Sequence, residues 1–334
     1  MAERVNRRIV LARRPVGMPD VADFALVAST APTPAEGEVL CRTRLLSLDP
    51  YMRGRMNTLP LAATMIGSTV ADVVESRDPS ISVGDVVLCN NGWQEYGAAP
   101  AASVRKLDPD QAPVSTALGI LGMPGMTAYV GLLDVGRARP GETVVVSAAA
   151  GAVGSVVGQL ARLNGCRAVG VAGSADKCAY VVEELGFDAC VNLHEAALGD
   201  ALALVCPDGI DVYFDNVAGA VLAAVLPLLN ARGRVALCGM ISQYNAVTPQ
   251  PGPNLYPLLA KDASIQGFHV GAFAERQAAF LAECSAWLRE GRLRYREDSV
   301  DGLEQAPAAF LRLFTGDNFG KLLVRLGGDQ ANAH

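Results

Sequence analysis

Metal-ligating residues are scarce in this sequence. It contains three histidines, His194, His269 and His334, none at a ligand spacing, and its eight cysteines include no C-x-x-C pair. A structural or catalytic zinc site is therefore not expected. The cysteines stand apart at 41, 89, 166, 178, 190, 206, 238 and 284, several in apolar runs such as D-A-C-V-N and V-A-L-C-G. They read as buried free thiols of a reducing compartment. Positive charge is also short: 28 Lys and Arg against 34 Asp and Glu leave a net charge of −6. That balance argues against nucleic acid or an anionic membrane as the main partner. Two uncharged stretches, 111–133 and 143–161, are long enough to invite a membrane reading. The first carries Pro113, Pro124 and four glycines and the second a strand, turn and helix, so neither reads as a membrane span. No charged segment followed by an apolar one stands at the N-terminus, and the expectation is a cytoplasmic protein without a secretory signal.

What is present centres on residues 143–154, T-V-V-V-S-A-A-A-G-A-V-G. Four residues of strand character run into a small-residue turn and then a helix with Val153, Val157 and Leu160 on its apolar side. Such a turn lets a dinucleotide pyrophosphate rest on backbone N–H groups at a helix start. Ala149, Gly151 and Gly154 hold the spacing of a G-x-G-x-x-G fingerprint with alanine in first place, and Ala152 and Val153 complete the turn. Gly151 allows backbone to approach phosphate, and Gly154 allows the helix to pack on the sheet. A small-residue turn serving only a buried helix is the plain alternative.

Residues 1–122 read as mostly β, with E-V-L-C-R-T-R-L-L-S-L, S-T-V-A-D-V-V-E-S and D-V-V-L-C-N as the clearest strands. No β–α alternation occurs there, which suggests a separate small barrel. From 123 to 295 the pattern alternates. Strands are expected at 143–147, 167–172, 189–192, 211–215, 234–238 and 264–269, with helices at 127–135, 175–185, 198–205, 221–229 and 276–290. Six strands with crossover helices make an α/β doubly wound parallel sheet. Residues 296–334, with a helix at 303–313 and a strand at 321–325, are expected to return to the first domain.

The acidic residue that binds a ribose 2′-hydroxyl about twenty positions past the glycine turn is missing. Gly173, Ser174 and Lys177 stand there instead, offering space, a hydroxyl and a cation. That combination suits a 2′-phosphate and favours NADP over NAD. Ser174 can equally N-cap its helix, and Lys177 can be a solvated charge.

L-S-L-D-P-Y-M-R (46–53), G-M-P-G-M-T-A-Y (122–129), A-A-A-G-A-V-G-S-V-V-G-Q (148–159), F-D-N-V-A-G (214–219), C-G-M-I-S-Q-Y-N (238–245), P-G-P-N (251–254) and G-D-N-F-G-K (316–321) occur in that order. With them the chain resembles the zinc-free medium-chain dehydrogenase/reductases, in the branch of prostaglandin, alkenal and curcumin reductases. The resemblance implies a GroES-like catalytic domain made from both chain ends (1–122 and about 296–334) around a Rossmann domain at 123–295. It also implies NADP(H) as cofactor, a homodimer formed through the Rossmann sheets, and reduction of a carbon–carbon double bond conjugated to a carbonyl. In zinc-dependent relatives a G-H-E motif supplies a ligand; here the comparable stretch is Ile66, Gly67, Ser68 and Thr69.

Hydride addition to the β-carbon of an enone or enal builds negative charge on the carbonyl oxygen, so the protein must orient the reactants and hold that oxygen. A neutral phenol is a suitable donor at pH 7. The resemblance assigns this catalytic role to Tyr244 with a cofactor ribose hydroxyl, and protonation of the α-carbon to solvent; an ordinary loop tyrosine is the alternative. Cofactor contacts carried over by resemblance are Met126, Thr127, Asn216, Asn245 and Asn318, with Asn192 after the third Rossmann strand and Lys321 as a phosphate-side cation; turn or cap roles compete at each. The branch often has Asn-Tyr at that strand end, whereas this chain has Asn192-Leu193 and loses one hydroxyl. Tyr51 is a candidate substrate contact. Arg53 either binds an acidic substrate tail or pairs with Asp49 to fix the turn. Trp93 and Tyr96 belong to a domain edge or touch substrate, and 248–254 is a loop that covers substrate or simply connects. A quinone reductase and a cofactor-binding protein without turnover are the competing functions.

Overall fold

In the computed structural model, residues 4–194 and 197–326 are described; His334 and the end of the C-terminal segment fall outside them. The N-terminal segment carries β1 (Val5–Leu11), β2 (Phe24–Thr30), β3 (Glu38–Ser47), the short helix α1 (Tyr51–Arg55), β4 (Thr69–Ser76), β5 (Val86–Cys89), β6 (Tyr96–Pro100) and β7 (Arg105–Lys106). Helix and strand then alternate: α2 (Met123–Val130), β8 (Thr143–Ser147), α3 (Gly154–Leu163), β9 (Arg167–Ala172), α4 (Ala175–Glu183), β10 (Ala189–Asn192), α5 (Leu198–Val205), β11 (Ile210–Asp215), α6 (Gly219–Val225), β12 (Leu229–Leu237), α7 (Tyr256–Ala260), β13 (Ser264–Gly267) and α8 (Gln277–Arg289). The last segment adds β14 (Glu297–Asp301), α9 (Ala306–Thr315) and β15 (Lys321–Arg325).

Contacts divide the chain into two compact units: residues up to Leu118 with those from Glu297 onward, and Gly119–Arg296. The break falls a little before the expected 122 because Ala117 and Leu118 pack with Val70 and Leu323 of the first unit.

In the first unit the sheet runs β14-β15-β3-β4-β5-β7, with β6 also on β3 and a separate β1–β2 pair. β15 lies antiparallel to β3, Leu323 opposite Ser47, so the end of the chain closes the sheet its beginning starts. Phe24, Trp93 and Phe310 centre its main core: Phe24 stacks on Trp93 at 5.5 Å and Phe310 meets Trp93 edge-on at 5.5 Å. Trp93 is fully buried there and is a core residue; the reading of it as a substrate contact is corrected. A large ring with no exposed face gains most by packing.

The second unit is a parallel sheet in the order β10-β9-β8-β11-β12-β13. All five residues of β8 are buried, as a strand covered on both faces requires. Its apolar cluster joins Val145, Val169, Tyr213 and Val235 of the strands to Leu202 of α5 and Leu222 and Val225 of α6. Helix α7 was not expected, and α2, α6 and β12 have other bounds than expected. Helix α2 starts at Met123, earlier than 127, because Pro124 suits a first helical turn. Helix α6 ends at Val225 and β12 begins at Leu229, because Pro227 cannot supply the N–H that a longer helix needs.

Candidate active site

The sheet order reverses between β8 and β11, since the chain first builds outward through β9 and β10 and then through β12 and β13. Ligands of open parallel sheets bind outside the carboxyl ends of the strands at such a reversal. The loops that follow β8, β9, β11 and β12 carry most of the residues singled out in the second unit.

After β8 the backbone turns through Ala148 at φ +52°, and the Ala149 N–H donates to Val171 O at 3.0 Å, tying the turn to β9. Gly151 N–H closes the turn on Ala148 O at 2.9 Å. A Cβ on Gly154 would stand 2.3 Å from Ala148 O, so only glycine lets α3 start this close to the strand end. After β9, Gly173 is exposed, and a Cβ there would meet nothing nearer than His194 Nε2 at 3.9 Å and Leu193 Cδ2 at 4.0 Å. Ser174 N-caps α4, its Oγ accepting from Lys177 N–H at 3.3 Å, which leaves the hydroxyl proton to donate. Asn192 Oδ1 accepts from His194 N–H at 3.1 Å and turns the chain at the end of β10. Open space bounded by a glycine, a hydroxyl and a lysine-bearing helix start fits the 2′-phosphate of NADP(H), and the β8–α3 turn fits its pyrophosphate.

After β11, Asp215 is completely buried. Its Oδ1 accepts from Tyr213 Oη at 2.8 Å, Ser147 Oγ at 3.2 Å, Val217 N–H at 2.9 Å and Ala218 N–H at 2.8 Å. Its Oδ2 is buried without a hydrogen-bond partner. Burial pushes this carboxyl above the usual range, against the pull of the Ala218 and Val217 N–H groups and the Tyr213 and Ser147 hydroxyls. Those bonds hold Ala218 at φ 62°, ψ −151°, a region that costs a residue with a Cβ about 1–3 kcal/mol. Asn216 is held too: its N–H donates to Ser147 Oγ and its Nδ2 to Ser147 O, both at 2.8 Å, leaving the carboxamide oxygen for a ligand. Asp215, Ser147 and Tyr213 were not singled out in the sequence. The available signal was an Asp ending a buried strand just before a loop, where its carboxylate accepts from N–H groups two and three residues on.

After β12 the chain passes Gly239 and a short helical turn to Tyr244. The Tyr244 hydroxyl accepts from Met240 N–H at 3.4 Å. A Cβ on Gly239 would lie 3.3 Å from both that hydroxyl and Asn216 O, so glycine lets the phenol rest against the ends of β11 and β12. Burial pushes the half-buried Tyr244 phenol above its ordinary pKa, although the Met240 N–H pulls the other way. Asn245 follows, half-buried. Beside them a cavity of about 400 Å³ opens between Gly219, Ala220 and Ala223 of α6, Ser242 and Gln243, and the loop at 250–253. In α2, Met126 and Thr127 are buried, and Thr127 Oγ1 donates to Met123 O at 2.7 Å.

The chain is similar to known oxidoreductases. A family described as the N-terminal domain of oxidoreductase matches residues 7–107, and one described as zinc-binding dehydrogenase matches 152–286. The chain is 47% identical over 337 residues to the NADPH-dependent curcumin reductase of Escherichia coli K12, covering 97% of this chain and 98% of that one. It is 43% identical to prostaglandin reductase 1 of Rattus norvegicus, covering 92% and 95%. The crystal structure of CurA in complex with NADPH from Vibrio vulnificus superposes with a TM-score of 0.91 at 46% identity, over 97% of this chain and all of that one. The chain belongs to the medium-chain dehydrogenase/reductase family, in its zinc-free reductase branch.

One of the matching descriptions mentions zinc. Among the described residues no three His, Cys, Asp or Glu side chains gather as metal ligands would. The remaining residues carried over from the family lie in the first unit. Lys321 is a correction: it is buried, its Nζ donating to Leu48 O at 2.8 Å and Asp49 Oδ1 at 2.7 Å, so it neutralises a buried carboxylate rather than a phosphate. Arg53 is buried and donates to Asn57 Oδ1 at 2.9 Å and Gly17 O at 2.8 Å, pinning α1 within its own unit instead of facing a substrate tail. Asn318 Nδ2 donates to Gly320 O at 3.2 Å, a turn role. Tyr51 is exposed at the start of α1, and Tyr96 is half-buried on β6 opposite Arg42.

Proposed function

We propose that this NADP(H)-dependent oxidoreductase reduces the carbon–carbon double bond of α,β-unsaturated ketones and aldehydes. The observation that carries the reading is the Tyr244 phenol, protonated and beside Asn216, lying against the ends of β11 and β12, next to the β8–β11 reversal of the sheet order. Its similarity to reductases named for curcumin and prostaglandins supports the same class of electron-poor alkene.

The second unit is the cofactor domain in this reading. The N–H groups at 152–154, where α3 begins, receive the pyrophosphate, and Ser174 and Lys177 receive the 2′-phosphate. Asn192, Asn216 and Asn245 offer amide groups along the strand ends, and Met126 and Thr127 wall the nicotinamide side. Bound NADPH supplies the hydride. Tyr244 donates its hydroxyl proton in a hydrogen bond to the substrate carbonyl oxygen and holds it as negative charge grows there. Because burial raises its pKa, the phenol stays a donor through neutral pH and loses that role only as the solution becomes strongly alkaline. Solvent then protonates the α-carbon. Tyr51 remains the substrate-contact candidate of the first unit.

A homodimer through the second units' sheets belongs to the same proposal. β13 is an edge strand with all four residues exposed, and Tyr256, Leu259 and Ile265 expose apolar surface on α7 and β13. Unpaired strand edges of this kind favour pairing with a second copy. The free cysteines suit a reducing compartment such as the cytoplasm. Oxidation of NADPH in the presence of enones, enals and quinones tests the function. Turnover of enones and enals is expected; turnover of quinones alone, or tight NADPH binding with no turnover, would overturn it.

A further inference from the structure

Two cysteines twelve positions apart in sequence meet in space beside the proposed phosphate pocket. Cys178 lies in the first turn of α4, where its N–H donates to Ser174 O at 3.0 Å. Cys190 lies on β10 opposite Gly170 of β9. A Cβ at Gly170 would come within 3.1 Å of the Cys190 sulfur, so the glycine leaves room for that thiol. Both cysteines are half-buried, whereas Cys41, Cys89, Cys166, Cys206 and Cys284 are buried. The Cys190 thiol donates to the Cys178 sulfur at 3.0 Å. An approach of about 1 Å brings the pair to the ~2.05 Å of a disulfide.

We propose that Cys178 and Cys190 form an oxidisable dithiol, a modification site that closes to a disulfide under hydrogen peroxide and reopens under thiol reductants. The chemistry balances with peroxide alone. One thiolate attacks the peroxide, the O–O bond breaks, and a sulfenic acid and water result; the second thiol then displaces water as the S–S bond forms. Two thiols and one peroxide give one disulfide and two waters. Burial, and next the neighbouring sulfur, push the Cys190 thiol up, so Cys178 is the first nucleophile.

The link has a consequence for the cofactor, which rests on the NADP reading above. Cys178 shares its helical turn with Ser174 and Lys177, so pulling its sulfur towards β10 moves the groups that receive the 2′-phosphate. Loss of one charge-assisted hydrogen bond corresponds to a Kd for NADPH about tenfold weaker.

Peptide mass mapping after peroxide treatment of the whole chain, with remaining thiols alkylated, decides the matter. The peptides bearing Cys178 and Cys190 should be recovered joined and two hydrogens lighter, the other six cysteines alkylated, and dithiothreitol should restore both thiols. Cys178→Ser and Cys190→Ser should each abolish the joined peptide and leave NADPH oxidation by the reduced enzyme unchanged. Recovery of Cys178 as a sulfinic acid with Cys190 alkylated overturns the dithiol, and so does recovery of both as alkylated thiols. For the linked effect, NADPH titration of the oxidised and reduced forms should show the tenfold difference. Equal Kd values overturn the coupling and leave the dithiol standing, while failure of the reduced form to bind NADPH refutes the cofactor reading instead.

Discussion

Lys177 and Tyr244 test the two halves of the proposed chemistry separately. Lys177→Ala removes a cation beside Ser174 and should raise the KM for NADPH far more than that for NADH. Equal effects on the two cofactors would take Lys177 out of the phosphate site. Tyr244→Phe keeps the ring against Gly239 but deletes the donor. It should lower kcat by no more than about 10²- to 10³-fold, the range for one oxyanion donor, with the KM for NADPH almost unmoved. An unchanged kcat would return Tyr244 to the rank of a loop tyrosine. Residues whose role rests on a local motif were legible in the sequence: Ser174 sits where an N-cap is expected and does cap α4. Lys321 and Arg53 were not, because their partners are far along the chain or on another element. Lys321 meets Leu48 and Asp49, and Arg53 reaches Gly17. Trp93 in a polar N-G-W-Q-E-Y context gave no sign of the Phe24 and Phe310 rings that enclose it.

At the scale of elements, the β8–turn–α3 unit does two jobs that different glycines divide. Gly154→Ala places a Cβ 2.3 Å from the Ala148 carbonyl oxygen and must shift backbone. It should destabilise the protein by about 1–3 kcal/mol, seen as a lower melting temperature in the absence of cofactor. Gly151→Ala meets Ala148 O at 3.1 Å, a far milder approach. It should leave the melting temperature nearly unchanged and weaken NADPH binding. The reverse pattern, with Gly154→Ala stable and Gly151→Ala unstable, would contradict the assignment of packing to one and phosphate approach to the other. Strands and their order in the chain were readable because a parallel sheet buries continuous apolar runs such as T-V-V-V-S. Element ends were less so. The start of β12 and the extent of α6 turn on Pro227, and the strained Ala218 turn depends on a carboxylate whose donors come from two strands and a loop.

At the scale of the whole molecule, one unit is made from both ends of the chain and the other from its middle, and the sequence hinted at this through the change from β to alternating pattern near 122. The exposed β13 edge predicts assembly. Sedimentation velocity at micromolar concentration should show a dimer, and a charged substitution on that edge, Ile265→Lys, should produce monomer; a native monomer would refute the edge pairing. The central claim is hydride delivery to carbon rather than to the carbonyl. The direct measurement is to supply NADPH deuterated at the transferable position with a conjugated enone and to locate the label in the product by NMR. A saturated ketone carrying deuterium on its β-carbon is the predicted result, and an allylic alcohol carrying it on the carbinol carbon would contradict the account.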